Sequence, residues 1–150
     1  AMSLADKLSI LEKIAAAQCE AYGFEGPPKI RLLNLGASGA AGYFRSGEKD
    51  IVLNSDSGSP IHHDFKEILD TILHENMHVY QHQLVHGVAE LEEDDPRQTQ
   101  VDLFSINDAA EGYCDPNEDG IAYKMQPQEA HAYLTGETAT QAILAKLPPA

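Results

Sequence analysis

Basic residues are scarce in this chain: ten Lys plus Arg stand against 24 Asp plus Glu, for a formal net charge of −14. Such a balance repels phosphate backbones and anionic headgroups, so neither nucleic acid nor a membrane surface is expected as a partner. Its plain consequence is solubility, with basic peptides as the class of ligand the field would favour. Long hydrophobic runs are missing too, since none approaches the roughly 18 apolar residues of a membrane span. The N-terminus has no cationic segment leading into an apolar one, and Ala1 ahead of Met2 reads as a cloning remnant. A cytoplasmic protein without a signal peptide is expected, with non-classical secretion as the alternative. Two cysteines, Cys19 and Cys114, are too few for a disulfide framework and suit free thiols in a reducing compartment. There is no internal repeat and no low-complexity tract. What remains is 150 residues, 43% of them hydrophobic, enough for one ordinary core and hence a single domain spanning 1–150.

Ser3 with Asp6 offers an N-cap and an acidic first turn to a helix whose stripe is Leu4, Leu8, Leu11 and Ala15. It should run to about Tyr22, where Gly23, Gly26, Pro27 and Pro28 stop it. "KIRLLNL", "AGYFR" and "DIVLN" read as strands, the last two joined by Ser46 to Lys49 at hairpin length and hence antiparallel. From about His63 the apolar period changes to three and four, through Phe65, Ile68, Leu69, Ile72, Leu73, Met77, Tyr80 and Leu84, which predicts a long helix with Gly87 at its C′ position. Residues 90–120 are rich in acid, Pro, Gly and Asn; a short helix is expected around Val101 to Ala110 and a loop in "YCDPNEDG". Pro127 can open a helix holding Glu129, Ala132 and Tyr133, and Gly136 is expected to break it before a last helix through Leu147.

Within the long helix, "HENMH" is His74-Glu75-Asn76-Met77-His78, an H-E-x-x-H pattern. Residues four apart on a helix differ by about 40° in rotation and about 6 Å in rise, so both imidazoles can converge on one Zn²⁺ at about 2.0–2.1 Å. Glu75 projects beside them, where a carboxylate can take a proton from metal-activated water and return it to a leaving amine. A catalytic zinc usually has three protein ligands and one open position. The elongated pattern would put its third histidine at position 84 and a glycine at 81; this chain has Leu84 and Gln81. The third ligand must then come from another element, and the downstream candidates are Asp102, Asp108, Glu111, Asp115, Glu118, Asp119, Glu129 and His131.

"HENMHVYQ" followed by "YKMQPQEAHAY" resembles the bacterial gluzincin-type zincin metallopeptidases, in particular the minimal ones, in which a second helix opens with Q-P-x-E-x-x-A. The resemblance covers about Gly42 to Tyr133, starting with "GYF" and "IVLN". It implies an α+β, zincin-like fold: a small mixed twisted sheet whose edge strand packs against the active-site helix, with a C-terminal helix carrying the third ligand. It implies a zinc peptidase acting on peptide or protein substrates, with Glu75 as general base. By it Glu129 completes the set with His74 and His78, and Ala132 lets the two helices approach. It also implies that the strand nearest the active-site helix binds an extended peptide, for which "DIVLN" is the candidate, with a plain structural strand as the alternative.

The residues support the choice of Glu129, because Pro127 sets it in the first turn of a helix. His131, about 200° further around, cannot share its ligand face and is expected as an exposed or supporting residue. Tyr133 is four residues beyond Glu129 on the same face and can donate to a developing oxyanion, with Tyr123 and Tyr113 as rivals. His82 and His86 read as surface histidines, and His62 and His63 as the helix entrance. Cys114 is either a thiolate capping the metal or a partly buried free thiol. Two other functions fit the same motif: a binding module that keeps metal or groove without turnover, and a secreted effector or toxin of the same chemistry.

Overall fold

The computed structural model describes residues 2–86, 91–108 and 115–146. These form a mixed α/β arrangement of six helices and one three-stranded sheet. Helix α1, Leu4–Tyr22, begins as its sequence predicts: the Ser3 hydroxyl accepts the Asp6 N–H at 3.1 Å. It ends on Gly23, whose φ of 70° lets its N–H turn back to the carbonyl of Cys19.

Strands β1 (Lys29–Leu33), β2 (Gly42–Arg45) and β3 (Asp50–Asn54) lie in the order β1-β3-β2, with β1 parallel and β2 antiparallel to β3. The expected hairpin forms. The peptide-binding expectation for "DIVLN" is overturned, because β3 is the central strand and all five of its residues are buried. Its main chain is already committed on both sides, and β2 is the edge beside the candidate cleft. The buried carboxylate of Asp50 is held by Arg31 at 2.7 Å and by Arg45 at 2.6–2.7 Å. The Arg45 hydrogen bonds in particular keep it below the usual carboxylate range.

A short helix α2, Pro60–His63, precedes α3, Phe65–Val85, whose N-cap Asp64 accepts the Glu67 N–H at 3.0 Å. His62 and His63 thus close α2 rather than open α3; Gly87 lies outside the described residues. Helix α3 is the centre of the molecule. Its first half joins Leu11, Ile51, Leu53 and Ile61 through Ile68, Leu69, Ile72 and Leu73; its second half forms another cluster, Met77, Tyr80 and Leu84 with Phe104 and Ala132.

Helix α4 is Gln98–Asp108 and α5 is Gly120–Met125, the latter unforeseen and capped by Asp119, which accepts the N–H groups of Ile121 and Ala122 at 3.0 Å. Helix α6 runs unbroken from Pro127 to Leu144, so the expected break at Gly136 is absent. Gly136 serves packing instead. A Cβ there would stand 3.2 Å from the backbone N of His74 and 3.4 Å from its Cα, so this glycine brings α6 against α3 at the first histidine of the motif.

Candidate metal centre

The local geometry of α3 puts His74 and His78 one turn apart, and their Nε2 atoms are 3.1 Å from each other. From the first turn of α6, Glu129 places Oε2 3.2 Å from His74 Nε2 and Oε1 3.3 Å from His78 Nε2. These separations have a chemical meaning. Ligand atoms about 2.0–2.1 Å from a tetrahedral ion lie about 3.3–3.4 Å from one another, so the three groups already stand at nearly the spacing one cation requires. Glu129 Oε2 is buried and makes no hydrogen bond among the described residues, an unmet acceptor that a cation between the two imidazoles would satisfy. The trio is the only group of its kind among the described residues. His74, His78 and Glu129 can therefore hold a metal ion.

The electrostatics follow from burial and proximity. Burial acts against a charged Glu129, but its close contacts with His74 and His78 and their attraction prevail and bring it down to about 2. Burial likewise works against the His78 cation, and is outweighed by Glu129 and Glu75, which raise it to about 9. Glu75 is pushed up mainly by burial, against the pull of both histidines. Its Oε1 is 4.0 Å from His74 Nε2, while its Oε2 accepts the Phe44 N–H of edge strand β2 at 2.9 Å. Gly42, where a Cβ would meet Val52 O at 2.8 Å and Thr71 Cγ2 at 3.0 Å, lets that edge come close.

These groups open on a cavity of about 490 Å³ bordered by Tyr43, Phe44, Glu75, His78, Tyr123 and Glu129. Tyr133 packs at a tilt against His74, ring centroids 4.4 Å apart, but lines a cavity of about 350 Å³ with Asp70 and Glu137. Its rival Tyr123 faces the cleft; Tyr113 lies outside the described residues, as do Glu111 and Cys114. Asp102, Asp115, Glu118 and Asp119 do not join the trio, and the Asp108 side chain is likewise outside what is described. His131 packs between Tyr80 and Phe104, away from the ligand face as its helical rotation requires, and burial keeps it below the ordinary histidine value. His82 borders the cleft against Phe44, and its ring lies 4.3 Å from that of His86; His62 meets the Ser55 carbonyl at 3.2 Å.

Two residues of the region escaped sequence reasoning. Asn76, inside the motif, is fully buried and donates to the Ala15 carbonyl at 3.1 Å and to Gln18 Oε1 at 2.9 Å, tying α1 to the histidine helix. Gln81, noticed in the sequence only for not being glycine, is 1% exposed and touches His78. Its signal was positional: it sits three residues after His78, on the same side of the helix. Comparisons with protein-family models, with curated proteins and with solved structures gave no match.

Proposed function

We propose that the chain is a zinc-dependent metallopeptidase of zincin-like architecture, with His74, His78 and Glu129 as ligands and Glu75 as general base. The observation that carries this reading is the convergence of two imidazole nitrogens and a carboxylate at 3.1–3.3 Å, with a second, elevated carboxylate beside them on an open cleft. Imidazole and carboxylate donors in this number suit Zn²⁺. When bound, such an ion supplies Lewis acidity, making water a better nucleophile near neutral pH and polarising a carbonyl.

The remaining work belongs to the chain. Glu75 receives the proton of the attacking water and delivers it to the departing amine, a task favoured by a carboxyl whose proton affinity burial has increased. The Phe44 N–H holds one of its oxygens, leaving Oε1 on the side of His74. An extended peptide substrate is received along β2, the free edge of the sheet, in place of the central strand. Tyr133, tilted against His74, and Tyr123, on the cleft wall, are the two phenols among the described residues to be tested as oxyanion donors.

The test is metal analysis joined to hydrolysis of a mixed peptide pool. Wild-type protein is expected to carry about one zinc per chain and to cleave. Glu75→Ala keeps the zinc and loses about 10²–10⁴-fold in turnover. Glu129→Ala loses the zinc, whereas His131→Ala keeps it. Wild-type protein that loads zinc without cleaving any peptide is a binding module, and one that takes up no zinc refutes the assignment.

A further inference from the structure

We propose that Gln81 is a positioning residue that commits His78 to ligation through Nε2, and that it does so from an anchor on the helix carrying Glu129. The inference rests on the metal site proposed above and goes beyond its three ligands. Gln81 Nε2 lies 2.9 Å from the backbone carbonyl of Gln128. A carbonyl can only accept, so the amide end facing α6 is the NH₂ end. The other end, Oε1, is then the atom 2.8 Å from His78 Nδ1, and since it too can only accept, Nδ1 must carry the proton. In the neutral ring this leaves the lone pair on Nε2, the nitrogen that faces His74 and Glu129.

The second amide hydrogen has its own destination. His131 Nδ1 is 3.0 Å from Gln81 Nε2 and accepts there, which spends that lone pair and puts the neutral His131 proton on Nε2. One buried side chain thus has its carbonyl oxygen and both amide hydrogens engaged, and its orientation is fixed by groups on α6. Because Gln128 immediately precedes Glu129, the same amide that orients one ligand also pins the turn that presents another. His74 differs: among the described residues its buried Nδ1 has no hydrogen-bond partner, so this orientation by a neighbouring side chain is proposed for His78.

Zinc affinity by chelator competition, with nitrogen-15 spectra of the zinc-loaded protein, tests this. Wild-type protein is expected to show the metal on His78 Nε2 and a slowly exchanging Nδ1–H. Gln81→Met, near in volume but unable to hydrogen-bond, should lose about 10–100-fold in zinc affinity and the protected Nδ1–H signal. Unchanged affinity in a folded Gln81→Met protein would overturn the proposal, as would weakened affinity with the Nδ1–H signal intact, which is the mark of a packing effect. Should Gln81→Met fail to fold, the wild-type spectrum alone decides: zinc on Nδ1 refutes the proposal, zinc on Nε2 with a protected Nδ1–H supports it. Wild-type protein that binds no zinc fails at the earlier step, taking the metal site and this proposal together.

Discussion

The two halves of α3 are buried to a similar depth by different means. From Ile68 to Leu73 the inward positions are aliphatic, each at most 2% exposed, and they meet the leucines and isoleucines of α1, α2 and β3. From His74 onward the buried set includes His74, Asn76 and Gln81 beside Met77, Tyr80 and Leu84. Apolar burial is non-directional and forgiving of shape, whereas each buried polar group needs a partner of the right kind at the right angle. The first half can therefore be rewritten in many ways and the second in few. That rigidity is what a metal centre requires, since ligand atoms must be held at fixed separations before an ion arrives.

Volume-conserving changes in each half put the contrast to the test. The largest effect is expected from Asn76→Asp, which exchanges the donor for a carboxylate facing the carbonyl oxygens of Ala15 and Gln18. An uncompensated charge at a fully buried site should cost about 3–5 kcal/mol, read from denaturant unfolding of the metal-free protein. Leu69→Met, in the aliphatic half and equally buried, should cost under about 1.5 kcal/mol and leave zinc stoichiometry unchanged. Equal losses at the two positions would erase the distinction between the halves.

A third effect is one of pH, and its sign separates the metal-free from the loaded protein. His78, near 9 when folded against an ordinary 6.5, contributes stability that is complete below about 6.5 and disappears as pH rises through 9. Glu129, near 2 against an ordinary 4.5, contributes stability present above about 4.5 and lost as pH falls through 2. Both contributions are whole between about 4.5 and 6.5, so the metal-free protein should weaken between about pH 6.5 and 9. Zinc competes with protons for the imidazoles, and the extra stability it confers should grow over the same interval. Unfolding midpoints with chelator and with zinc should diverge as pH rises; parallel curves would mean that the histidines are not ligands.

Where an element's residues are neighbours in sequence, its shape was legible in advance. The Ser3 cap, the β2–β3 hairpin and the long period of α3 all arise from interactions within a few residues. Gly136 misled for an instructive reason: a glycine's cost to an isolated helix is local, while its benefit here, admitting the backbone of α3, involves a residue more than sixty positions away. The place of β3 escaped for a related reason. Its unbroken apolar run fits a buried central strand, but only the parallel pairing with β1 makes it one. Asn76 and Gln81 were unreadable because a polar residue in a helix declares nothing about its partners until neighbouring helices are placed.

By itself the sequence determined that two imidazoles and a carboxylate occupy one turn of one helix, because the rotation and rise of an α-helix are set by the backbone and need nothing else. Tertiary structure decided that Glu129, which the sequence favoured, closes the triangle, that β2 and not β3 borders the cleft, and that Gln81 lies against His78. Each of those depends on how separate elements dock, and docking is fixed by the packing of whole faces, which no short stretch of chain encodes.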